Sequence, residues 1–357
     1  MKIVVLLAAM TRGGIDLFQS LLDNHSEILQ LPGKFYIDEF LKKIKNKNNN
    51  SEIAQEFINC YQEYFDSRLN IVERHNFLGQ NKDEFYFIDK DKFIKKFDEL
   101  SKNKKLNKKE IIINLHLAYS SASEESIDKK KLIILQIHHL FRIKSIEDLD
   151  FDIACTIRDP IASHSSYVKN LSKFNNKSIN PWQYYYHMER NFSHLIELSK
   201  LKRKINVIKL ERLHRNNLDV MKNFCRQYHI DYKETLQKST FHGKLWWGDQ
   251  VSKKYLNGID NKFENKVDYN SFFENDINII EHYLESYIKA YEYPFRGNRQ
   301  KLNYKKYFPL KVDLIIFIQS VKRLNIKNII LCFYYYFKRF KFMKKEVLDK
   351  FEYPSEL

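Results

Sequence analysis

The sequence has no uninterrupted apolar run approaching the roughly 18 residues of a membrane-spanning helix, so no spanning segment is expected. Cysteine is scarce. Cys60, Cys155, Cys225 and Cys332 stand far apart, with neither a Cys-x-x-Cys pair nor any metal-ligand spacing. That pattern excludes a disulfide framework and a zinc site, and leaves reduced thiols packed among apolar neighbours. No internal repeat is visible. The opening MKIVVLLAAMTRGG has a basic residue and an apolar run, but the run is short and meets TRGG where a secretory signal would show a small-residue cleavage site. A first core strand is the expectation, and the expected location is cytoplasmic.

What is present is a chain of 357 residues, 43% hydrophobic and 15% aromatic, enough for one large domain with a sizeable core. The mean hydropathy of −0.55 fits a soluble protein. A formal net charge of +16 suggests a polyanionic partner: nucleotide phosphates, an acidic glycan, nucleic acid or anionic lipid. Runs such as KKIKNKNNN (42–50) and SKNKKLNKKE (101–110) read equally well as solvated loops. Charge alone therefore does not choose among these partners.

Four short apolar runs rich in β-branched residues read as buried strands: 2–9, 131–137, 151–157 and 205–210. They are continuous rather than alternating, which suits parallel strands covered on both faces. Helical patterns lie between them, at 15–25, 51–69, 160–174 and 181–201. Strands alternating with helices predict an α/β three-layer sandwich with a central, mostly parallel sheet. Residues 1–297 form the expected main domain, with an insertion at about 41–130. Residues 298–357 form a basic, aromatic, helical C-terminal extension.

Two constellations carry chemistry. In AAMTRGGIDLFQSLLDNHSEI, Thr11-Arg12-Gly13-Gly14 falls between the first strand and a helix starting at Ile15. Glycines there let backbone N–H groups approach an anion, and Arg12 adds a forked donor. In FDIACTIRDPIASHSSYVKN, a strand runs into Arg158-Asp159-Pro160, and Ser166 follows eight residues after the arginine on a new helix. Pro160 suits a helix first turn. The guanidinium and the hydroxyl can then converge on one anion.

Together these segments resemble the phosphate-binding motifs of sulfotransferases that use 3′-phosphoadenosine 5′-phosphosulfate (PAPS), a P-loop-like fold. The resemblance implies that Arg12 and the backbone of Gly13, Gly14, Ile15 and Asp16 hold the 5′-phosphosulfate, and that Arg158 and Ser166 hold the 3′-phosphate. Ile15-Asp16 departs from the family, which has hydroxyl residues there. Asp16 either turns away to cap the helix or marks an altered site. His242-Gly243-Lys244 resembles the late basic-glycine loop over the nucleotide, with Trp246 or Trp247 as a wall. Glu211 reads as structural. A catalytic His followed by Leu matches His139-Leu140. His139 is thus the expected base, with His138 and Glu39 as alternatives, and Lys34 lies near the position where other branches carry a Glu.

The implied function is sulfuryl transfer from PAPS to a hydroxyl, with carbohydrate the expected acceptor, suggested by Tyr184–Tyr186 and the basic surplus. No metal and no nucleic acid are expected. A P-loop kinase is disfavoured because Gly-Lys-Ser/Thr is missing. The alternative is a non-catalytic protein binding anionic glycan or nucleotide on a degenerate version of the fold. In the tail, 314–345, aromatic and aliphatic residues are interleaved with cations and no acid. Two basic amphipathic helices broken near 325–328 would give that pattern, either lying on an anionic membrane as a peripheral contact or packing on the domain.

Overall fold

The computed structural model describes residues 1–47, 49–102, 104–171, 180–250, 258–298 and 302–357. Strands β1 (Lys2–Ala8), β2 (Ile28–Gln30), β3 (Leu132–His138), β4 (Asp152–Ile157) and β5 (Ile205–Lys209) make one fully parallel sheet in the order β2-β3-β1-β4-β5. Four of the five are the continuous apolar runs of the sequence, each placed to within a residue or two. The three-residue β2 has too little chain to show a pattern. Two further short strands, β6 (Thr240–Phe241) and β7 (Lys244–Leu245), form a separate antiparallel hairpin.

Helices cover both faces. On one side of β1, Val4 and Leu6 pack with α1 (Ile15–Leu21); Val220, Met221 and Phe224 pack there later in the chain. On the other side, Ile3, Val5 and Leu7 meet the larger layer. That layer is begun by α2 (Ile37–Ile44), α3 (Asn50–Cys60), α4 (Gln62–Phe65), α5 (Lys90–Ser101) and α6 (Lys108–Ala122). These helices are the insertion. An aromatic cluster centred on Phe57, which meets Phe35, Phe40, Tyr61, Phe65 and Phe93, holds them together. The single helix expected over 51–69 is broken at Tyr61, where φ is −135° and the ring stacks on Tyr64.

After β4 come α7 (Pro160–Leu171) and α8 (Pro181–Ser199). The expected helix over 160–174 is seen to Leu171, and its last three positions lie outside the described residues. Asp159 starts α7: its carboxylate accepts from the N–H groups of Ile161 and Ala162 and pairs, fully buried, with Arg296 at 2.6 Å. Then follow α9 (Leu210–Arg215), α10 (Asn217–Tyr228), α11 (Asp276–Tyr283) and α12 (Glu285–Ala290), with α13 (Lys311–Lys322), α14 (Ile326–Lys338) and α15 (Lys345–Asp349) in the tail.

The tail is bound into the domain rather than appended to it. Leu310, Val312, Ile316, Met343 and Leu348 belong to the main core, and Arg339 is buried against Asp313. The backbone at Glu356 and Leu357 pairs with Val207 on the edge of β5. Among the described residues no helix is long and apolar enough to cross a membrane.

Candidate active site

In a parallel sheet the crevice opens at the carboxyl ends of the strands, where the chain reverses its winding. Here β1 lies between β3 and β4, and the segments leaving these three strands border one cleft of about 680 Å³. Arg12, Gly13, Gly14, Ile15 and Asp16 come from the β1 turn, His138 and His139 from the end of β3, and Arg158 from the end of β4. Residues scattered over nearly 150 positions of sequence therefore meet at one point.

The β1 turn is tightly held. Arg12 (φ 60°) and Gly14 (φ 82°) are left-handed, and a Cβ at Gly14 would stand 2.4 Å from Leu210. Only glycine fits there. Thr11 donates its N–H to Asn191 at 2.9 Å and accepts from the Ser163 hydroxyl at 2.6 Å. The Arg158 guanidinium reaches the Arg12 carbonyl at 3.5 Å, so the two arginine positions are neighbours. Burial pulls the Arg158 pKa down, and Glu211 opposes that. Glu211 also accepts from the Asp159 N–H, Asn265 and Tyr293, and so organises the base of the site.

Asp16 does not cap α1, which has no side-chain cap. Its carboxylate accepts from Gln136 at 2.6 Å and stays in the cleft. With Glu73 and Asp249 it forms a group of carboxylates whose oxygens lie within 4.8 Å of one another, close enough for a divalent cation. Side-chain cations already meet these acids: Lys34 donates to Glu73 at 2.6 Å, and Arg12 lies 3.7 Å from Asp249. Burial works against the charge on Lys34, but Asp16 and Glu73 outweigh it and hold the ammonium firmly protonated. Burial, reinforced by Asp16, raises Glu73 to about 7 against the pull of Lys34. Arg12, Lys34, Arg158 and Arg190 face Asp16 and Asp249 across the cleft, a net cationic lining. Nε of Arg12 and Nε of Arg190 are buried without a hydrogen-bond partner among the described residues.

The register of β1 on β3 shifts at Leu6–Leu7, and His138 ends β3 with φ 60°. The histidine pair is thereby turned out of the sheet. His138 is largely enclosed, and burial holds it neutral. His139 stacks on Phe141 and is lowered to about 4, by burial first and then by Arg190, Arg142 and Lys34. Its Nδ1 meets the Tyr186 hydroxyl at 2.7 Å and Arg190 at 3.3 Å. Arginine only donates, so Nδ1 is the accepting nitrogen and Nε2 carries the hydrogen. Tyr186 and Arg190 sit one turn apart on α8, and Trp182 stacks on Tyr186 at 5.4 Å to make an aromatic wall.

Several expected residues are placed elsewhere. Ser166 is partly exposed on α7 and does not line the cleft; the wall at that turn is Tyr167, pinned by stacking on His187 at 3.9 Å. His242 (φ 51°) and Gly243 (φ 68°) are the two-residue turn of the β6–β7 hairpin, a geometry that requires left-handed residues. His242 is buried against Tyr119 and Tyr86, Gly243 donates to Asp23, and Lys244 pairs with Glu84. This segment stands apart from the cleft. Glu39 is exposed on α2 and paired with Arg142. Trp246 lines the cleft, whereas Trp247 donates to Gly79. Of the three tyrosines, Tyr184 and Tyr185 are buried and only Tyr186 faces the site. Sequence reasoning missed Glu73, Asp249 and Arg190. Arg190 alone left a signal, its i, i+4 spacing from Tyr186.

Fold and cleft together define an α/β protein with a cationic, nucleotide-sized cleft at the carboxyl edge of a parallel sheet. No protein-family model matches the chain, and no curated protein matches it. Among solved structures it is similar to the sulfotransferase domain from the Synechococcus PCC 7002 olefin synthase, at 13% identity over 67% of this chain and 77% of that one, with a TM-score of 0.34. It is also similar to the sulfotransferase domain from the curacin biosynthetic pathway, at 14% identity over 75% and 88%, with a TM-score of 0.38. Likeness at that level assigns neither activity nor donor.

Proposed function

We propose that the cleft binds PAPS and transfers its sulfuryl group to a hydroxyl. The observation that carries this is the convergence of Arg12, Lys34, Arg158 and His139 on one cleft at the ends of β1, β3 and β4. In the reaction the acceptor oxygen bonds to sulfur while the bond from sulfur to the phosphate oxygen breaks. The electron pair leaves with the nucleotide bisphosphate. Charge grows on that leaving oxygen, and preorganised cations beside it lower the barrier. Lys34, entering from the segment after β2, supplies the ammonium that the β1 turn itself lacks, and Arg12 stands beside it.

The acceptor proton passes to His139 through Tyr186: the hydroxyl of Tyr186 takes the proton as it gives its own to Nδ1. Arg190 disfavours the resulting imidazolium, and the negative charge of the bound donor offsets Arg190. Trp182 and Tyr186 present flat apolar faces suited to a sugar ring, which favours a carbohydrate acceptor.

Arg158→Ala is expected to weaken binding of 3′-phosphoadenosine 5′-phosphate by roughly ten- to a hundredfold, the scale of a lost charged hydrogen bond of about 1.5–3 kcal/mol. Binding of adenosine 5′-phosphate, which lacks the 3′ group, should barely change. Calorimetry with both nucleotides decides the point, since equal losses would remove Arg158 from the 3′ site. The acid group favours a second reading, a non-catalytic binding protein in which Asp249 occupies Arg12. Absence of any nucleotide binding by the unaltered chain would select it.

A further inference from the structure

We propose that the α13–α14 hairpin docks this protein on an anionic phospholipid bilayer. The two helices pack against each other, with Phe317 on Phe333 at 5.4 Å, and α14 leans on α8 through Tyr335 and Tyr185 at 4.9 Å. The outward face is left apolar. Ile326, Ile330, Phe333 and Phe337 follow one another at helical spacing along α14, and each is more than half exposed; no residue of that helix is buried. Ile318 on α13 and Leu324 at the turn, 85% exposed, extend the patch. Exposed side chains scattered singly need no partner, but a contiguous face of this kind does.

Charge selects the occupant. Lys322, Arg323 and Lys327 ring the tip of the hairpin, and Lys338, Lys341 and Lys344 lie at its other end, with no Asp or Glu between 314 and 345. Asp313, just before, is taken by buried Arg339. A second copy of the chain would bring cations against cations at either end, so the face is not self-complementary. An anionic lipid surface meets both features at once, with aromatics among the acyl chains and cations at the headgroups. At 12 and 13 residues the helices reach roughly 20 Å, short of the hydrocarbon thickness, and they lie in the surface rather than cross it.

The position is also informative. A second cavity, about 790 Å³, is bordered by Lys338, Lys341 and Phe342 at the base of the hairpin and by Tyr186 at its inner end. Tyr186 is the residue bonded to His139 and also lines the cleft, so the groove and the cleft share a wall. A surface-docked molecule would present the groove to the headgroup layer.

The test is co-sedimentation of the full chain with phosphatidylcholine vesicles and with vesicles that also contain phosphatidylserine. Binding to the anionic vesicles alone, weakening as salt rises, is the expected result. Lys322→Ala/Lys327→Ala should lower vesicle affinity tenfold or more, at roughly fivefold per cation. Ile330→Ser/Phe337→Ser should abolish binding while thermal unfolding stays unchanged, because both side chains are more than half exposed. The proposal is overturned if the chain ignores both vesicle types or binds them equally at all salt concentrations. It is also overturned if sedimentation velocity shows a dimer that the Ile330 and Phe337 substitutions dissolve, or if either folded double variant binds anionic vesicles like the parent.

Discussion

Replacing His139 with alanine is expected to lower turnover at least about a hundredfold and as much as ten-thousandfold, the range for loss of a positioned base. The donor should still bind with nearly its original affinity, because the phosphate-facing groups come from other strands. Tyr186→Phe should cause a loss of similar size with little change in KM, since it breaks the same proton path at the hydroxyl. The double variant should be scarcely worse than either single one, as expected for groups acting as a unit. His138→Ala should do less. Independent, multiplying losses would show that Tyr186 does not relay protons to His139.

The pH dependence separates His139 from its nearest rival. His139 is lowered to about 4, so in the free enzyme it is already unprotonated above that value. The acid limb of kcat/KM then lies near pH 4, and activity is flat from there towards neutrality. Glu73 is raised to about 7 and would be mostly protonated, and so useless as a base, below that pH. If Glu73 accepts the proton instead, the limb moves to near pH 7 and disappears in Glu73→Gln. The position of that limb therefore names the base.

Lys34→Met is the second large effect. Among the described residues Lys34 is the one lysine bordering the cleft, and it is held charged by the acids around it. Methionine keeps the length of the side chain and removes the ammonium, leaving Asp16 and Glu73 without their nearest cation. Turnover should fall about a hundred- to a thousandfold, the usual cost of losing one preorganised group beside developing charge. Lys34→Arg should retain part of the activity, since the charge remains although the point-like geometry does not. If Lys34→Met changes donor affinity alone and leaves kcat intact, Lys34 binds the ground state only and has no share in stabilising the leaving group.

Much of the architecture was legible in the chain. The runs at 2–9, 131–137, 151–157 and 205–210 are continuous because their strands are covered on both faces, and burial of that kind writes itself directly into local composition. Arg158-Asp159-Pro160 was legible for a similar reason, since a helix start has fixed local needs: an acceptor side chain at the cap and a proline that has no N–H to waste. The Thr11–Asp16 turn belongs with these. All are features whose causes lie within a few residues.

What the chain could not show were contacts between distant segments. Lys34 and Glu73 are 39 positions apart, and Gln136, which holds Asp16, is 120 positions from it. No local pattern encodes either pairing. His242-Gly243 looked like part of a nucleotide loop because a glycine turn has the same composition whether it closes a hairpin or cradles a phosphate; only the pairing of β6 with β7 tells them apart. The tail was ambiguous for the same reason. Its aromatic and basic alternation fits packing and lipid docking alike, and tertiary structure assigned one face of the hairpin to α8 and left the other to solvent. The sequence by itself determined four of the five sheet strands, the helix starts at Pro160 and Pro181, and the places of Arg12 and Arg158 at the cleft, because hydrophobic burial and backbone capping act over short range. Which counter-charges line the cleft and which face of the tail stays exposed was decided only by the fold, because electrostatics and packing act through space and not along the chain.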